Sequence, residues 1–365
     1  MELPEKGNSE NDRKRRDLRD SILEVNKLAA NYYFACLKSE QGKIGYEYLT
    51  KRELKPETIV RFGLGFAGKG GSPLYQYVKS KGYPDSVLKE TGLFTYDEKR
   101  GVYDKFWNRV MFPILDRNNR VIAFGGRVMG DAKPKYLNSP ETIFDKSRNL
   151  YGLNFVHGKQ GEGMIICEGY MDVIALHQAG FTNAVASLGT AFTSQHCSLL
   201  KRYTDLVYLC YDSDGAGVKA AMRAIPMLKE AGIRVKVINM RPYKDPDEFM
   251  KGLSPEAFKE RIEQAKSSFF YEVDNLMKEY DMNDPESKTS FMNEVAKKCL
   301  TFDNEIERTN YMEAFCREYS VRTEDFKKLV AYHSARIVGI DYEKRRQERM
   351  MKTARQKEDG IAKSQ

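Results

Sequence analysis

The sequence predicts an α/β protein, α+β in overall order, with three successive regions. Strand-like and helix-like segments alternate over residues 163–240, which is typical of a parallel sheet covered by helices. A basic region of mixed pattern precedes this segment, and only helical periodicity follows residue 251. With 365 residues, of which 41% are hydrophobic, the chain is long enough for two or three domains with a sizeable core.

These patterns predict five segments along the chain. They are a flexible leader (1–16), a basic N-terminal subdomain (17–160), a central parallel-sheet domain (161–252), a helical subdomain (253–341) and a charged tail or linker (342–365). No run approaches the roughly 20 apolar residues of a membrane span, and no secretory signal is visible. We therefore expect a cytoplasmic protein without membrane contact, and we expect it to be a monomer.

In the N-terminal region, apolar residues over 17–37 recur at helical spacing and predict a helix. Segments 109–115 and 120–124 alternate on either side of a polar turn, 116–119, which predicts a β-hairpin. Trp107, the only tryptophan, precedes this hairpin, and we predict that it is a core aromatic residue.

Positive charge is concentrated in the first part of the chain. Residues 1–150 contain 28 Lys and Arg against 20 Asp and Glu, whereas the remaining residues carry equal numbers. Such an excess attracts polyanions, nucleic acid before all others. An ordinary solvated basic surface is the commoner case, and charge alone leaves it open.

The predicted strands of the central domain are 164–167, 183–187, 206–211 and 234–240, and its helices are 171–179, 194–203 and 218–230. The predicted helices of the C-terminal region are 255–265, 268–280, 287–299, 304–319 and 323–333. His177 and His196 fall on helices, where we expect packing rather than catalytic roles. The six cysteines form no C-x-x-C pair, which favours reduced core thiols and excludes a zinc ribbon within this chain.

Carboxylates follow the ends of three predicted strands: Glu168, Asp212, Asp214, Asp245 and Asp247. Because the carboxyl ends of parallel strands open on one edge of a sheet, we expect these five side chains to converge. So many like charges are costly unless cations neutralise them, and hard oxygen ligands suit Mg²⁺. The sequence therefore predicts a divalent metal site.

Each acidic motif also has an ordinary structural explanation. The D-x-D pair at 212 and 214 suits a solvated turn in which Asp214 caps a helix. Glu168 and Asp172 suit acids that complement the dipole at a helix start. Their combination at three strand ends favours the metal site.

Three segments resemble a Toprim domain, which is shared by primases, topoisomerases and certain nucleases: ICEGYMD (166–172), SLGTA (187–191) and YDSDGAG (211–217). The flanking segments resemble the bacterial replicative primase of DnaG type: NRVMFPI (108–114), FGGR (124–127) and PKYLNSPET (134–142). The resemblance covers roughly residues 20–340 and is highly specific because these motifs occur jointly.

The resemblance implies the RNA polymerase core of a primase, which joins ribonucleoside triphosphates into short RNA primers on single-stranded DNA by metal-dependent nucleotidyl transfer. It implies catalytic roles for Glu168, Asp212 and Asp214. The implied ligands of Mg²⁺ or Mn²⁺ are these three residues with Asp245 and Asp247, and Asp172 supports them.

The same resemblance implies residues that bind nucleotide or DNA: Arg109, Arg127, Lys135, Asn138 and Lys146. The family's zinc ribbon and helicase-binding domain are missing from this sequence, so zinc is not expected here. The replicative helicase would be bound through the missing domain, and single-strand-binding protein is a further expected partner.

Two other functions remain open from the sequence. A Toprim nuclease or topoisomerase would keep the fold, although a topoisomerase needs a nucleophilic tyrosine, and none of the 22 tyrosines is marked as one. A catalytically silent module that binds single strands would be expected to lose one or more of the acids, and here all are present.

Overall fold

The computed structural model describes the backbone of residues 6–337 and the side chains of residues 10–337. These residues form two compact units that divide between Ser268 and Phe269. The predicted fold class is confirmed: helices and sheets occur in the first unit, and helices make up the second. No helix in the described part of the chain is long and apolar enough to cross a membrane.

The first unit opens with helices and short antiparallel strands. Its helices before residue 100 are α1 (Lys6–Leu37), α2 (Lys43–Lys51), α3 (Pro56–Arg61), α4 (Pro73–Ser80) and α5 (Asp85–Leu88). Its strands before residue 140 are β1 (Gly65–Ala67), β2 (Phe94–Asp97), β3 (Gly101–Asp104), β4 (Arg109–Leu115), β5 (Val121–Val128) and β6 (Tyr136–Asn138).

The helix predicted over 17–37 is confirmed, but α1 begins at Lys6, so the prediction of a flexible leader over 1–16 is wrong from that residue on. Residues 6–16 contain no proline and are rich in charged helix formers, which favour helix when a helix already follows them. Glu10 and Lys14 form an exposed pair one turn apart at 3.1 Å. Residues 1–5 lie outside the described part of the chain.

The predicted hairpin is confirmed as the centre of an antiparallel sheet with the order β1-β4-β5-β6. The Asp116 carboxylate accepts hydrogen bonds from the Asn118 and Arg120 N–H groups, which closes the turn. Helix α1 packs closely on β1, because a Cβ at Gly65 would lie 2.7 Å from the Tyr33 carbonyl carbon. Glycine at this position therefore sets the distance between helix and sheet.

The central elements are β7 (Met164–Cys167), α6 (Tyr170–Gln178), β8 (Ala184–Ala186), α7 (Ser194–Leu200), β9 (Leu206–Leu209), α8 (Gly215–Glu230), β10 (Arg234–Val237), α9 (Pro246–Gly252), α10 (Pro255–Glu263) and β11 (Lys266–Ser267). They form a five-stranded sheet with the order β11-β10-β9-β7-β8, in which β10, β9, β7 and β8 are parallel. The predicted alternation of strands and helices is confirmed.

The prediction that only helices follow residue 251 is wrong at β11, which pairs antiparallel with β10 at the sheet edge. Two residues are too few to carry a periodic signal. Helices α9 and α10 also belong to the first unit, since Phe249 and Phe258 are fully buried in its core. The predicted start of the helical subdomain at 253 thus precedes the observed division at Phe269.

The second unit is helical: α11 (Ser268–Met277), α12 (Pro285–Cys299), α13 (Glu305–Glu318) and a last helix, α14, over 323–337. Its core consists of aromatic and aliphatic residues around Phe291 and Phe315. The predicted division of the first unit at residue 160 stays a prediction, and the predicted tail over 342–365 lies outside the described residues.

His177 is a packing residue of the first unit, as the sequence predicts. Its side chain is buried, its Nε2–H donates to the Ala184 carbonyl oxygen at 2.8 Å, and its ring contacts Phe62 and Phe155. Burial lowers the pKa of this imidazole from 6.5 to about 4.

His177 should make stability depend on pH. The unfolded chain binds this proton near pH 6.5 and the folded chain only near 4, so stability is lost as pH falls through that range. Between pH 7 and pH 5 the loss should be about 2 kcal/mol. Between these two pH values, the urea-unfolding free energy of His177→Gln should fall about 2 kcal/mol less than that of the parent.

The control is His157→Gln, because His157 is exposed. Equal pH dependence of the unfolding free energy in His177→Gln, His157→Gln and the parent would contradict this prediction.

Candidate active site

A pocket of about 340 Å³ lies at the carboxyl edge of the parallel sheet. Seven of the predicted site residues line it: Lys135, Asn138, Glu168, Asp172, Asp212, Asp245 and Asp247. Asp214 lines a neighbouring open pocket together with Lys244, which borders both. Arg109, Arg127 and Lys146 line neither.

Glu168 and Asp212 meet because their strands, β7 and β9, are parallel neighbours. Glu168 directly follows β7, and its Oε1 accepts a hydrogen bond from the Asp212 N–H at 3.0 Å. Burial raises the pKa of both carboxyl groups, and the nearby charges of Asp212 on Glu168 and of Asp245 on Asp212 raise them further. The two carboxyl groups therefore lack enough nearby positive charge to keep their ordinary pKa, and both line the pocket.

Asp214 caps helix α8, which is the ordinary alternative that its sequence context allows. Its Oδ1 accepts hydrogen bonds from the Ala216 and Gly217 N–H groups, both at 3.0 Å, and these bonds lower its pKa. A Cβ at Gly217 would lie 2.1 Å from the Asp212 carbonyl oxygen, so only glycine allows this turn. The second oxygen, Oδ2, faces the Lys244 ammonium at 3.8 Å.

Lys244 is a cation at the site that sequence reasoning missed. Its Nζ lies 3.6 Å from Asp212 Oδ2 and 3.8 Å from Asp214 Oδ2, and both carboxylates raise its pKa. The backbone fixes its position, because the Ser213 N–H donates to the Lys244 carbonyl oxygen at 2.8 Å. The one sequence feature that could have identified Lys244 is its position directly before Asp245.

Asp172 and Asp245 are held by backbone groups. The buried Asp172 carboxylate accepts from the Gly169 N–H at 3.0 Å and from the Asp247 N–H at 3.4 Å. Burial, followed by the charges of Asp245 and Asp212, raises its pKa well above the usual range. Asp245 caps α9 by accepting from the Glu248 N–H at 2.8 Å.

Asp247 forms a buried ion-pair cluster with two cations. Its Oδ2 contacts Arg52 Nη1 and lies 2.7 Å from Lys251 Nζ, while its side chain is only 3% exposed. Its Oδ1 is buried without a hydrogen-bond partner among the described residues. Arg52, which reaches Asp247 across 195 positions of sequence, also lines the pocket and was missed because no motif marks it.

The acids differ in their availability to a metal ion. Their hard carboxylate oxygens suit Mg²⁺ or Mn²⁺, and Glu168, Asp212, Asp214 and Asp245 keep oxygens that no arginine binds. Asp247 differs because its Oδ2 is bound by Arg52 and Lys251, and the ligand role predicted for it stays a prediction. Within the described residues no three His, Cys, Asp or Glu side chains already stand as a ligand group.

Arg109 stabilises a loop instead of facing the pocket. It is buried, and its guanidinium donates to the carbonyl oxygens of Gly126, Pro134 and Lys135 at 3.0–3.3 Å. The nucleotide- or DNA-binding role predicted for Arg109 stays a prediction. Its effect on the site is to hold the Lys135 loop.

Of the other predicted binding residues, two line the pocket and two do not. Lys135 is exposed and lines the pocket. Asn138 also lines it, but its side chain is bonded to the Leu188 carbonyl oxygen (2.8 Å) and the Tyr170 hydroxyl (2.7 Å). Arg127 lies over the Tyr48 ring, 4.2 Å from its centroid, and Lys146 lies outside the pocket lining.

Two family models match this chain. One describes the N-terminal domain of the DNA primase catalytic core and matches residues 32–157, and the other describes a Toprim-like domain and matches residues 165–250. Among curated proteins, the DNA primase of Clostridium acetobutylicum is 41% identical over 320 residues, which cover 87% of this chain and 53% of that protein.

Solved structures give the same similarity. A DnaG primase catalytic domain bound to single-stranded DNA is 33% identical, with a TM-score of 0.72 over 85% of this chain and 99% of that one. The RNA polymerase domain of Mycobacterium tuberculosis primase DnaG, in complex with a DNA duplex carrying a 6-nucleotide overhang, is 28% identical, with a TM-score of 0.74 over 82% and 97%.

The Asp247 cluster should contribute to stability. Asp247→Asn removes the buried charge that binds Arg52 and Lys251, and charge-assisted hydrogen bonds contribute about 1.5–3 kcal/mol each. Because both cations keep partial contact with water, we expect a net loss of about 2–3 kcal/mol in urea-unfolding free energy.

Asp205→Asn is the matched control, because Asp205 pairs with Lys201 on the exposed surface and such pairs contribute about 0–1 kcal/mol. A loss in Asp247→Asn no larger than that of the control would show that the cluster does not stabilise the fold.

Proposed function

Because the chain belongs to the family of bacterial DnaG-type DNA primases, we propose that it is the catalytic core of a DNA primase. In this proposal it is a nucleotidyltransferase, a DNA-directed RNA polymerase that makes short RNA primers on single-stranded DNA. The chain spans about half the length of the curated relatives it matches. The activity of those whole proteins is extended to it here as a proposal.

One observation carries the proposal: Glu168 and Asp212 meet in a pocket that cationic residues also line. The Asp212 N–H to Glu168 bond joins two strand ends at 3.0 Å, and Lys135 and Arg52 reach the same pocket from the N-terminal part of the unit. A polymerase needs acids for metal and cations for phosphate in one place. This pocket supplies both.

We assign Glu168, Asp212 and Asp214 to a divalent cation, Mg²⁺ or Mn²⁺, with Asp245 beside them. When bound, the ion would activate the attacking 3′-hydroxyl and stabilise the leaving pyrophosphate. Glu168 is suited to accept a proton because its pKa is raised by burial. Asp172 supports these residues by accepting a hydrogen bond from the Gly169 N–H, which fixes the start of α6.

The cations have separate tasks in this proposal. Lys135 binds the triphosphate as an exposed point charge beside the acids. Arg52 is aligned for phosphate by its bond to Asp247, so Asp247 is a positioning residue rather than a metal ligand. Arg109 positions Lys135 through the carbonyl oxygens of the loop.

The partners follow from the same proposal. The single-stranded DNA template and ribonucleoside triphosphates bind the basic residues of the N-terminal part of the first unit and the pocket, as the DNA-bound relatives suggest for the template. Arg127, Asn138 and Lys146 stay candidates for further contacts with nucleotide or DNA. Replicative helicase and single-strand-binding protein stay predicted partners, and the cytoplasm the predicted location.

Ribonucleotide incorporation tests the activity. With labelled ribonucleotides, single-stranded DNA and Mg²⁺ or Mn²⁺, we expect the parent to make RNA and Asp212→Ala to lose at least about a hundred-fold in rate. Loss of one preorganised group that stabilises a transition state electrostatically typically costs about a hundred- to a thousand-fold. Asp303→Ala, at an exposed acid of the second unit, is the control and should keep the parent's rate.

Cleavage or relaxation of DNA without incorporation would replace the primase by a Toprim nuclease or topoisomerase. Template binding with neither reaction, even with helicase and zinc-ribbon module added in trans, would favour a silent binding module.

Template binding should depend steeply on salt. If about four phosphates are contacted, affinity for single strands should fall roughly fifty-fold between 50 and 200 mM salt. Titration of a labelled oligonucleotide at several salt concentrations measures the slope. A salt-independent affinity would show that the basic residues of the N-terminal part of the first unit do not bind the template through its phosphates.

A further inference from the structure

We infer that Trp107 is a stacking platform for a base of single-stranded nucleic acid. This inference rests on the proposed function and adds a template-binding residue to it. The prediction of a core aromatic is wrong, because Trp107 is 45% exposed. An exposed indole can present its ring face to a planar ligand.

The backbone holds this indole outward. Phe106, immediately before it, is buried in the core of the first unit. Asn108, immediately after it, has a left-handed backbone (φ 49°) that is uncommon for a residue other than glycine. The Asn108 N–H donates to the Gly68 carbonyl oxygen at 2.8 Å, and its side chain donates to the Met129 carbonyl oxygen at 2.7 Å.

Trp107 therefore cannot turn inward without breaking contacts on both of its sides. The backbone after the ring is fixed, and a tryptophan side chain has only two χ angles, so it loses little conformational entropy when a planar partner stacks on it. A small entropy loss on binding is the property that a stacking platform requires.

The residues around Trp107 favour a ligand that is a polyanion and carries planar groups. The Asn108 contacts bring together the segments 68–70, 105–109 and 129–135. Four lysines in these segments are exposed or half-buried, against one acid, Asp131: Lys69, Lys105, Lys133 and Lys135. Proteins that bind single strands combine such a positive track with aromatic rings on which bases stack.

The platform is linked to the candidate active site. Arg109 follows Trp107 by two residues, and its guanidinium holds the Pro134 and Lys135 carbonyl oxygens. Lys135 lines the catalytic pocket. A strand stacked on Trp107 would thus be bound next to the loop that delivers Lys135 to the pocket.

Intrinsic fluorescence tests the inference directly, because Trp107 is the only tryptophan of the chain. We expect a twelve-nucleotide oligo-dT to quench the emission on binding. An abasic strand of equal length, which has the phosphates but no bases, should bind without comparable quenching. No quenching by saturating oligo-dT, equal quenching by the abasic strand, or no binding of oligo-dT would each overturn the inference.

Variants give a second readout. Trp107→Ala should weaken oligo-dT binding roughly five- to one-hundred-fold and leave affinity for the abasic strand unchanged, since stacking is lost but charge is kept. Trp107→Phe should recover most of the affinity. Tyr332→Ala, at an exposed aromatic of the second unit, is the control. Loss of a protein partner with oligo-dT affinity intact would instead identify a protein-binding residue.

The failure of this inference differs from the failure of the proposed function. If the parent binds oligo-dT with quenching but makes no RNA even with helicase and zinc-ribbon module added in trans, the primase proposal fails and the platform stands. If RNA is made and Trp107→Ala leaves the template KM unchanged, the platform fails and the primase stands. The expected result is a raised template KM with kcat unchanged.

Discussion

The carboxyl edge of the parallel sheet has to accommodate several negative charges, and neighbouring groups of the first unit reduce the repulsion between them. Glu168 and Asp212 are brought within one hydrogen bond of each other, although burial and repulsion raise the pKa of both. Lys244 offsets part of this repulsion from the open side of the pocket. Backbone N–H groups from the starts of helices offset more of it, because they are directed at Asp214 and Asp245.

A second, deeper group of charges fixes the walls of the pocket. Asp247 is bound by Arg52 and Lys251 below the surface, and Arg109 is bound by three carbonyl oxygens. The Asp247 Oδ2 oxygen and the Arg109 guanidinium are both bonded within the protein. Each determines where a pocket residue, Arg52 or Lys135, presents its cation, so the positions of the binding groups depend on buried polar contacts.

The fold was largely predictable, because periodicity and turn residues are local signals. The hairpin and the parallel strands appear where the pattern indicates, and four of the five acids at the strand ends line one pocket. The partners of Asp247 were not predictable, since Arg52 lies 195 positions away and no motif joins them. Burial of Arg109 and exposure of Trp107 depend on how neighbouring segments pack, and residue type alone predicts the opposite for each.

These two reversals have a common cause at the start of β4. Arg109 must turn inward to bind the loop over 134–135, and Asn108 adopts a left-handed backbone between Arg109 and Trp107. Because Phe106 is already committed to the core, the intervening Trp107 is left facing solvent. The geometry that delivers Lys135 to the acidic pocket is therefore the same geometry that exposes the single tryptophan, so a substitution that relaxes Asn108 would disturb both.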